Sequence, residues 1–65
     1  MLKLERVDWP KVVRDLQAAG LSQSDQANRI GVTRSSVSMW ALGVEPRYSA
    51  GAALLALHRK MARQR

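Results

Sequence analysis

The fold is decided by residues 21–43, LSQSDQANRIGVTRSSVSMWALG. Ser22, with Asp25 three residues later, is typical of a capping box at the start of a helix, although Asp reaches back less well than Glu. Thr33 is a good cap for a second helix. Gly31 lies between the two segments, where the chain must turn sharply and a positive φ is expected. The stretch therefore predicts two short helices joined by a glycine-centred turn.

Small and apolar residues define the buried side of this pair of helices. Ala27 allows the close approach of one helix to the other, and Ile30 lies on the same inner face. Val32, Val37 and Trp40 are expected to complete the interior. The opposite flank of the second helix is then exposed and convex. This is the arrangement of the helix-turn-helix unit, whose second helix enters the major groove of DNA.

One further helix is predicted on each side of this unit. Asp8 and Pro10 are typical of a helix start, and Gly20 of a helix end. Ser49 is expected to cap the last helix. Residues at helical spacing give each helix a buried face: Trp9, Val12, Val13 and Leu16 in the first, and Leu54, Leu57, His58 and Met61 in the last.

These elements predict an all-α fold, a compact domain of four to five helices that spans residues 1–65. The helix-turn-helix unit is placed at 22–42. Leu2 and Leu4 alternate with charged residues, which is also the pattern of a short N-terminal strand, but the sequence offers no convincing partner strand. Phe is absent, so Leu, Ala and Val must fill the core, which favours tightly packed helices.

The charge is distributed unevenly along the chain. Residues 33–65 carry six basic and one acidic side chains, whereas residues 1–32 carry five and four, within a net charge of +6. Such a surplus favours a polyanionic partner. The absence of cysteine excludes disulfides and thiolate metal sites and fits a reducing compartment, so we expect a cytoplasmic protein without a metal or other cofactor. No run is long enough to span a membrane.

Catalysis is not expected. There is no Cys nucleophile and no glycine-rich loop that could hold a phosphate. A chain of 65 residues lacks a deep pocket in which the pKa of a carboxyl group could be strongly shifted. The acidic residues are dispersed along the sequence: Glu5, Asp8, Asp15, Asp25 and Glu45.

Residues 21–43 resemble the XRE-type helix-turn-helix of phage Cro and repressor proteins. The positions that carry the resemblance are Gln23, Ala27, Gly31, Val32, Val37, Trp40, Gly43 and Pro46. It extends over roughly residues 9–58, and the shortness of the chain makes Cro the nearer relative. The resemblance implies a lambda-repressor-like fold. One position departs from the pattern: Gln26 stands where the family usually has an apolar residue, so it either faces solvent through a small rotation or weakens the core locally.

The resemblance also implies a role for individual residues. Arg34 is expected to bind guanine O6 and N7, and Met39 to contact a thymine methyl group. The residues implied to contact base edges are Arg34, Ser35, Ser38 and Met39, and those implied to contact phosphates are Ser22, Gln23, Thr33, Ser36 and Arg47. The alternative is that these are ordinary solvated side chains on a helix surface.

The function implied is that of a transcriptional repressor that occupies operator DNA in a bacterial host cell, on the nucleoid. A weak homodimer is expected, with no membrane and no small-molecule ligand as partner. The dimer surface is placed at Val44, Pro46, Tyr48 and Ala50. An antitoxin or adaptor module on the same fold is the alternative, against which the shortness of residues 59–65 counts. Membrane-surface binding by the basic last helix ranks lowest, because that helix lacks aromatic anchors.

Overall fold

The computed structural model describes residues 7–63, and within this range the chain is entirely helical apart from its connecting turns. The all-α prediction is therefore confirmed for this part of the chain. The short strand predicted at Leu2 and Leu4 lies outside the described residues. The helices are α1 (Trp9–Ala18), α2 (Gln23–Ile30), α3 (Arg34–Ala41) and α4 (Tyr48–Arg63).

The first helix begins and ends as its sequence predicts. The Asp8 carboxylate accepts a hydrogen bond from the Lys11 amide at 3.2 Å. Pro10 lies in the first turn, where a missing N–H is tolerated. Beyond the last turn, Gly20 has a φ of +104°, a conformation that side chains with a Cβ rarely adopt. The predicted apolar stripe is buried along its whole length: Trp9, Val12, Val13 and Leu16.

Reciprocal capping fixes the start of α2. The Asp25 amide donates to Ser22 Oγ at 3.0 Å, and the Ser22 amide donates to the Asp25 carboxylate at 3.1 Å. The helix ends at Gly31, whose φ of +79° is left-handed. There the amides of Gly31 and Val32 both donate to the carbonyl of Ala27, at 2.8 and 3.0 Å. The chain thus turns from α2 into α3 within three residues.

The third helix packs most extensively against α2 and then against α1. Thr33 caps it by accepting the Ser36 amide at 3.2 Å. Val37 is fully buried and Trp40 nearly so, as predicted. The described residues share a hydrophobic cluster made up of Trp9, Val12, Val13, Leu16, Leu21, Ala27, Val37, Trp40, Leu54 and Leu57.

The fourth helix begins two residues earlier than predicted, at Tyr48 and not after Ser49. Its first turn is closed by the Gly51 amide, which donates to the Arg47 carbonyl at 2.7 Å, so Ser49 lies inside the helix and is not its cap. Gly51 is buried here and packs closely against Trp9, since a Cβ at this position would lie only 3.0 Å from the Trp9 ring. The helix packs against α1 and α2. No helix between residues 7 and 63 has the length and apolar character to cross a bilayer.

Gln26 does not follow the first of the two alternatives drawn from the sequence. Its side chain is fully buried, so a rotation towards solvent does not occur. Its Nε2 donates to the carbonyls of Leu21, at 3.1 Å, and Val13, at 3.3 Å. Gln26 therefore links the start of α2 to α1 through polar contacts inside the core. Only its Oε1 atom is buried without a hydrogen-bond partner among the described residues.

Candidate nucleic-acid interface

The two sides of α3 differ sharply in exposure. Val37 and Trp40 face the core, whereas the side chains predicted to contact bases are all exposed. This split follows from the helical period, since residues three and four apart share a face. The exposed residues line a single open depression of about 340 Å³: Arg34, Ser35, Ser38, Met39 and Leu42. The structure thus brings together the four residues assigned to base contact.

Leu42 is the member of this surface that sequence reasoning missed. It is 81% exposed, and Met39 beside it is 49% exposed. The signal was available, because residues 35, 38, 39 and 42 follow the i, i+3, i+4, i+7 spacing of one helix face. We call this surface, formed by residues 34, 35, 38, 39 and 42, the α3 face.

Two hydroxyl groups lie together at the beginning of α3. Thr33 Oγ1 and Ser36 Oγ are 3.1 Å apart, and Thr33 Oγ1 also accepts the Ser36 amide. One hydroxyl proton is used in the bond between the two side chains, so the other hydroxyl can donate outwards. The predicted phosphate contacts at these two positions are therefore chemically available, with Thr33 serving as cap at the same time.

The start of α2 combines groups that attract and repel anions. The capping box uses the amides of Ser22 and Asp25, which leaves those of Gln23 and Ser24 at a helix end with a partial positive charge. Phosphates bind at such ends. The Asp25 carboxylate, however, lies at the same end, bonded to the Ser22 amide. Ser22 and Gln23, both predicted to contact phosphate, therefore lie at a helix end that also carries a carboxylate.

The stretch of sequence that contains the α3 face has no acidic residue. Residues 26–44 contain Arg29 and Arg34 but no Asp or Glu. Arg47, which was predicted to contact phosphate, is exposed but lines a different depression, together with Trp9, Pro46 and Tyr48. The structure therefore does not bring Arg47 to the surface formed by the base-contact residues.

The predicted dimer surface is partly apolar and exposed. Tyr48 is 91% exposed and Val44 is 44% exposed. Pro46 and Tyr48 line an open depression of about 390 Å³ between the start of α4 and the Trp9 ring. Pro46 and Ala50 are half-buried, and Ala50 packs against the core of its own chain. Ala50 therefore offers less surface to a partner than Val44 or Tyr48 does.

A polar cluster on another side of the molecule joins α1 to α4. Asp15 Oδ2 accepts hydrogen bonds from His58 Nε2 at 2.9 Å and from Lys11 Nζ at 3.0 Å. The pKa of Asp15 is lowered from its ordinary value of 3.8, first by the His58 hydrogen bond and then by that from Lys11. His58 is thus a structural partner of Asp15.

Between residues 7 and 63, no three His, Asp or Glu side chains are grouped so that they could hold a metal ion. Comparisons with protein-family models, with curated proteins and with solved structures return no match to this chain. What the chain binds is therefore inferred from the shape, chemistry and charge of its own surface.

Proposed function

We propose that this chain is a sequence-specific DNA-binding transcriptional repressor of the phage Cro type. In this proposal α2, the turn at Gly31 and α3 form a helix-turn-helix unit over residues 22–42. The observation that carries the proposal is the composition of the α3 face. One guanidinium, two hydroxyls and two apolar side chains line one depression there, while the opposite side of α3 is buried in the core. These are the side-chain types that contact base edges.

Recognition of bases begins with Arg34. It is the first residue of α3, and residues at the N-terminal end of a recognition helix contact base edges. A guanidinium can donate two parallel hydrogen bonds to guanine O6 and N7. Ser35 and Ser38 each supply a hydroxyl that donates or accepts. Burial of Val37 and Trp40 on the other side holds these groups in fixed positions relative to one another.

Phosphate contacts are proposed for the ends of both short helices. Gln23 and the hydroxyl pair of Thr33 and Ser36 lie at helix N-termini, where the helix dipole favours an anion. Arg59, Lys60 and Arg63 add exposed positive charge on α4 and attract the duplex at longer range. Each phosphate that is neutralised adds about −0.9 to the slope of log affinity against log salt concentration.

Specific binding is proposed to require two copies of the chain. A single recognition helix contacts only a few base pairs, whereas two copies related by a twofold axis contact half-sites about 34 Å apart. The apolar surface for this contact is offered by Val44, Pro46 and Tyr48. Because this surface is small, the dimer is weak and forms mainly on DNA. Occupation of an operator would then block a promoter sterically.

The proposal is tested by selection of bound sequences from a pool of random duplexes at two salt concentrations. We expect enrichment of a palindromic site that contains guanine in each half, with weaker but equally specific binding at the higher salt concentration. The matched control is Arg34→Ala, which keeps the fold because Arg34 is exposed. Failure of the native chain to enrich any sequence would refute the proposal, whereas recovery of an unchanged site by Arg34→Ala would exclude Arg34 from the base contacts.

A further inference from the structure

The C-terminal half of the α3 face is apolar. Met39 and Leu42 are the exposed hydrophobic side chains that line this depression, while Arg34, Ser35 and Ser38 supply its polar part. An isolated exposed Leu requires no explanation. Two large apolar side chains beside an arginine and two serines, on one helix face, form a surface with a polar end and an apolar end.

We infer that Leu42 contacts a thymine C5-methyl group next to the one expected for Met39, and that this surface recognises a guanine together with thymines on the side of Leu42. The inference rests on the proposed DNA-binding function and specifies the base sequence that the site prefers. The thymine methyl is the apolar group that DNA bases expose in the major groove, and apolar side chains recognise it by contact. Leu42 has no hydrogen-bonding side-chain group, so contact with a methyl group is the base-specific interaction available to it.

The dimensions of the helix allow both ends of the surface to reach the bases. Arg34 and Leu42 are separated by eight residues, which corresponds to about 12 Å along a helix axis. Successive base pairs are about 3.4 Å apart along the duplex. A helix lying in the groove can therefore place Arg34 over a guanine and Leu42 over a methyl group a few base pairs away. Met39, one turn before Leu42, lies between them.

A second copy of the chain is a less suitable occupant of the α3 face. In a twofold interface residue i of one copy contacts residue j of the other, so two antiparallel α3 faces would bury each Arg34 guanidinium against the apolar Leu42 of the partner subunit. Residues 26–44 hold no carboxylate that could pair with a guanidinium buried in this way, and an unpaired buried charge is unfavourable. The duplex, in contrast, supplies negative charge beside its apolar methyl groups. The mixed composition of the surface thus favours DNA.

The test uses the full chain and the duplex enriched from the random pool. Each thymine of one half-site is replaced in turn by deoxyuridine, which removes the C5-methyl group and keeps the O4 acceptor. Binding of the native chain, Met39→Ala and Leu42→Ala is measured on every duplex. Val7→Ala is the matched control, because Val7 is also an exposed aliphatic residue but precedes α1 and does not line the depression.

We expect deoxyuridine to weaken binding of the native chain about fourfold at one or two positions, as the loss of one buried methyl group predicts. Leu42→Ala should be insensitive to the methyl group at one of these positions, and Met39→Ala at a neighbouring one, while Val7→Ala behaves as the native chain. The inference is overturned if every deoxyuridine duplex binds the native chain with unchanged affinity. It is also overturned if Leu42→Ala loses the same affinity on the thymine and deoxyuridine duplexes and abolishes self-association. Absence of any enriched duplex would instead remove the DNA-binding proposal itself.

Discussion

His58 on α4 donates a hydrogen bond from Nε2 to the carboxylate of Asp15 on α1, over 2.9 Å. Lys11, one turn before Asp15, donates to the same carboxylate oxygen. The two donors stabilise the ionised form of Asp15 and lower its pKa. This polar contact supplements the apolar packing between α1 and α4, and it makes the stability of the chain dependent on pH.

The stability of the folded chain should fall on acidification, in part through Asp15. Because the pKa of Asp15 is lower in the folded chain than its ordinary value of 3.8, its contribution is complete above that value and is lost as the pH falls through the folded pKa. Thermal denaturation at about pH 5 and about pH 3 measures this loss. Asp15→Asn should show a smaller loss than the native chain, and an equal loss in both would contradict the contribution of Asp15.

The buried position of Gln26 predicts contrasting effects of two substitutions. Gln26→Ala removes both amide hydrogen bonds and leaves a cavity, which should lower the free energy of unfolding by about 2–4 kcal/mol. Gln26→Leu loses the same bonds but fills the space and removes the unpaired Oε1, so it should remain within about 1.5 kcal/mol of the native chain. Urea denaturation of the two variants checks this contrast. Similar stabilities for Gln26→Ala and the native chain would show that the side chain is not packed in the core.

Exposed cations at different places should affect DNA binding differently. Arg34→Ala should weaken binding to the preferred site by about 1–3 kcal/mol and relax the preference at one base position. Arg63→Ala, an exposed cation near the end of α4, should weaken binding to all sequences alike and reduce the salt slope by about 1. Titrations of preferred and scrambled duplexes at several salt concentrations separate the two effects. Equal losses on both duplexes for Arg34→Ala would make Arg34 a phosphate contact.

The carboxylate at the start of α2 should oppose DNA binding. Asp25→Asn keeps an oxygen that can accept the Ser22 amide but removes the negative charge beside the proposed phosphate site, so affinity should rise, by about fivefold at low salt. Asp8→Asn is a matched control, since Asp8 caps α1 and changes the net charge equally. A rise in affinity of the same size for Asp8→Asn would show that net charge alone is responsible, and would argue against a phosphate at α2.

The features that could be predicted from the sequence are those that depend on residues close together along the chain. The Ser22 capping box, the Thr33 cap and the left-handed Gly31 are all fixed by contacts within four residues, so their patterns are visible in the chain itself. The burial of Gln26 was not predictable in this way, because its partners, the Val13 and Leu21 carbonyls, are defined only when α1 packs against α2.

The start of α4 and the exposure of Leu42 also depend on tertiary structure. Ser49 is a suitable cap by composition, but the chain enters the helix at Tyr48 as Gly51 packs closely against Trp9. Leu42 resembles a core residue in type and becomes a surface residue because α3 turns Val37 and Trp40 inwards. The exposed residues of the α3 face were therefore predicted from the sequence except for Leu42.

The central claim is that the outward side of α3 contacts a DNA duplex. The most direct measurement is a titration of the isotope-labelled chain with the enriched duplex, followed by amide chemical shifts. We predict that the largest shifts occur on the α3 face, residues 34, 35, 38, 39 and 42, with smaller ones at Gln23 and Thr33. Shifts confined to α4 or to the depression at Trp9 and Tyr48, with α3 unchanged, would contradict the claim.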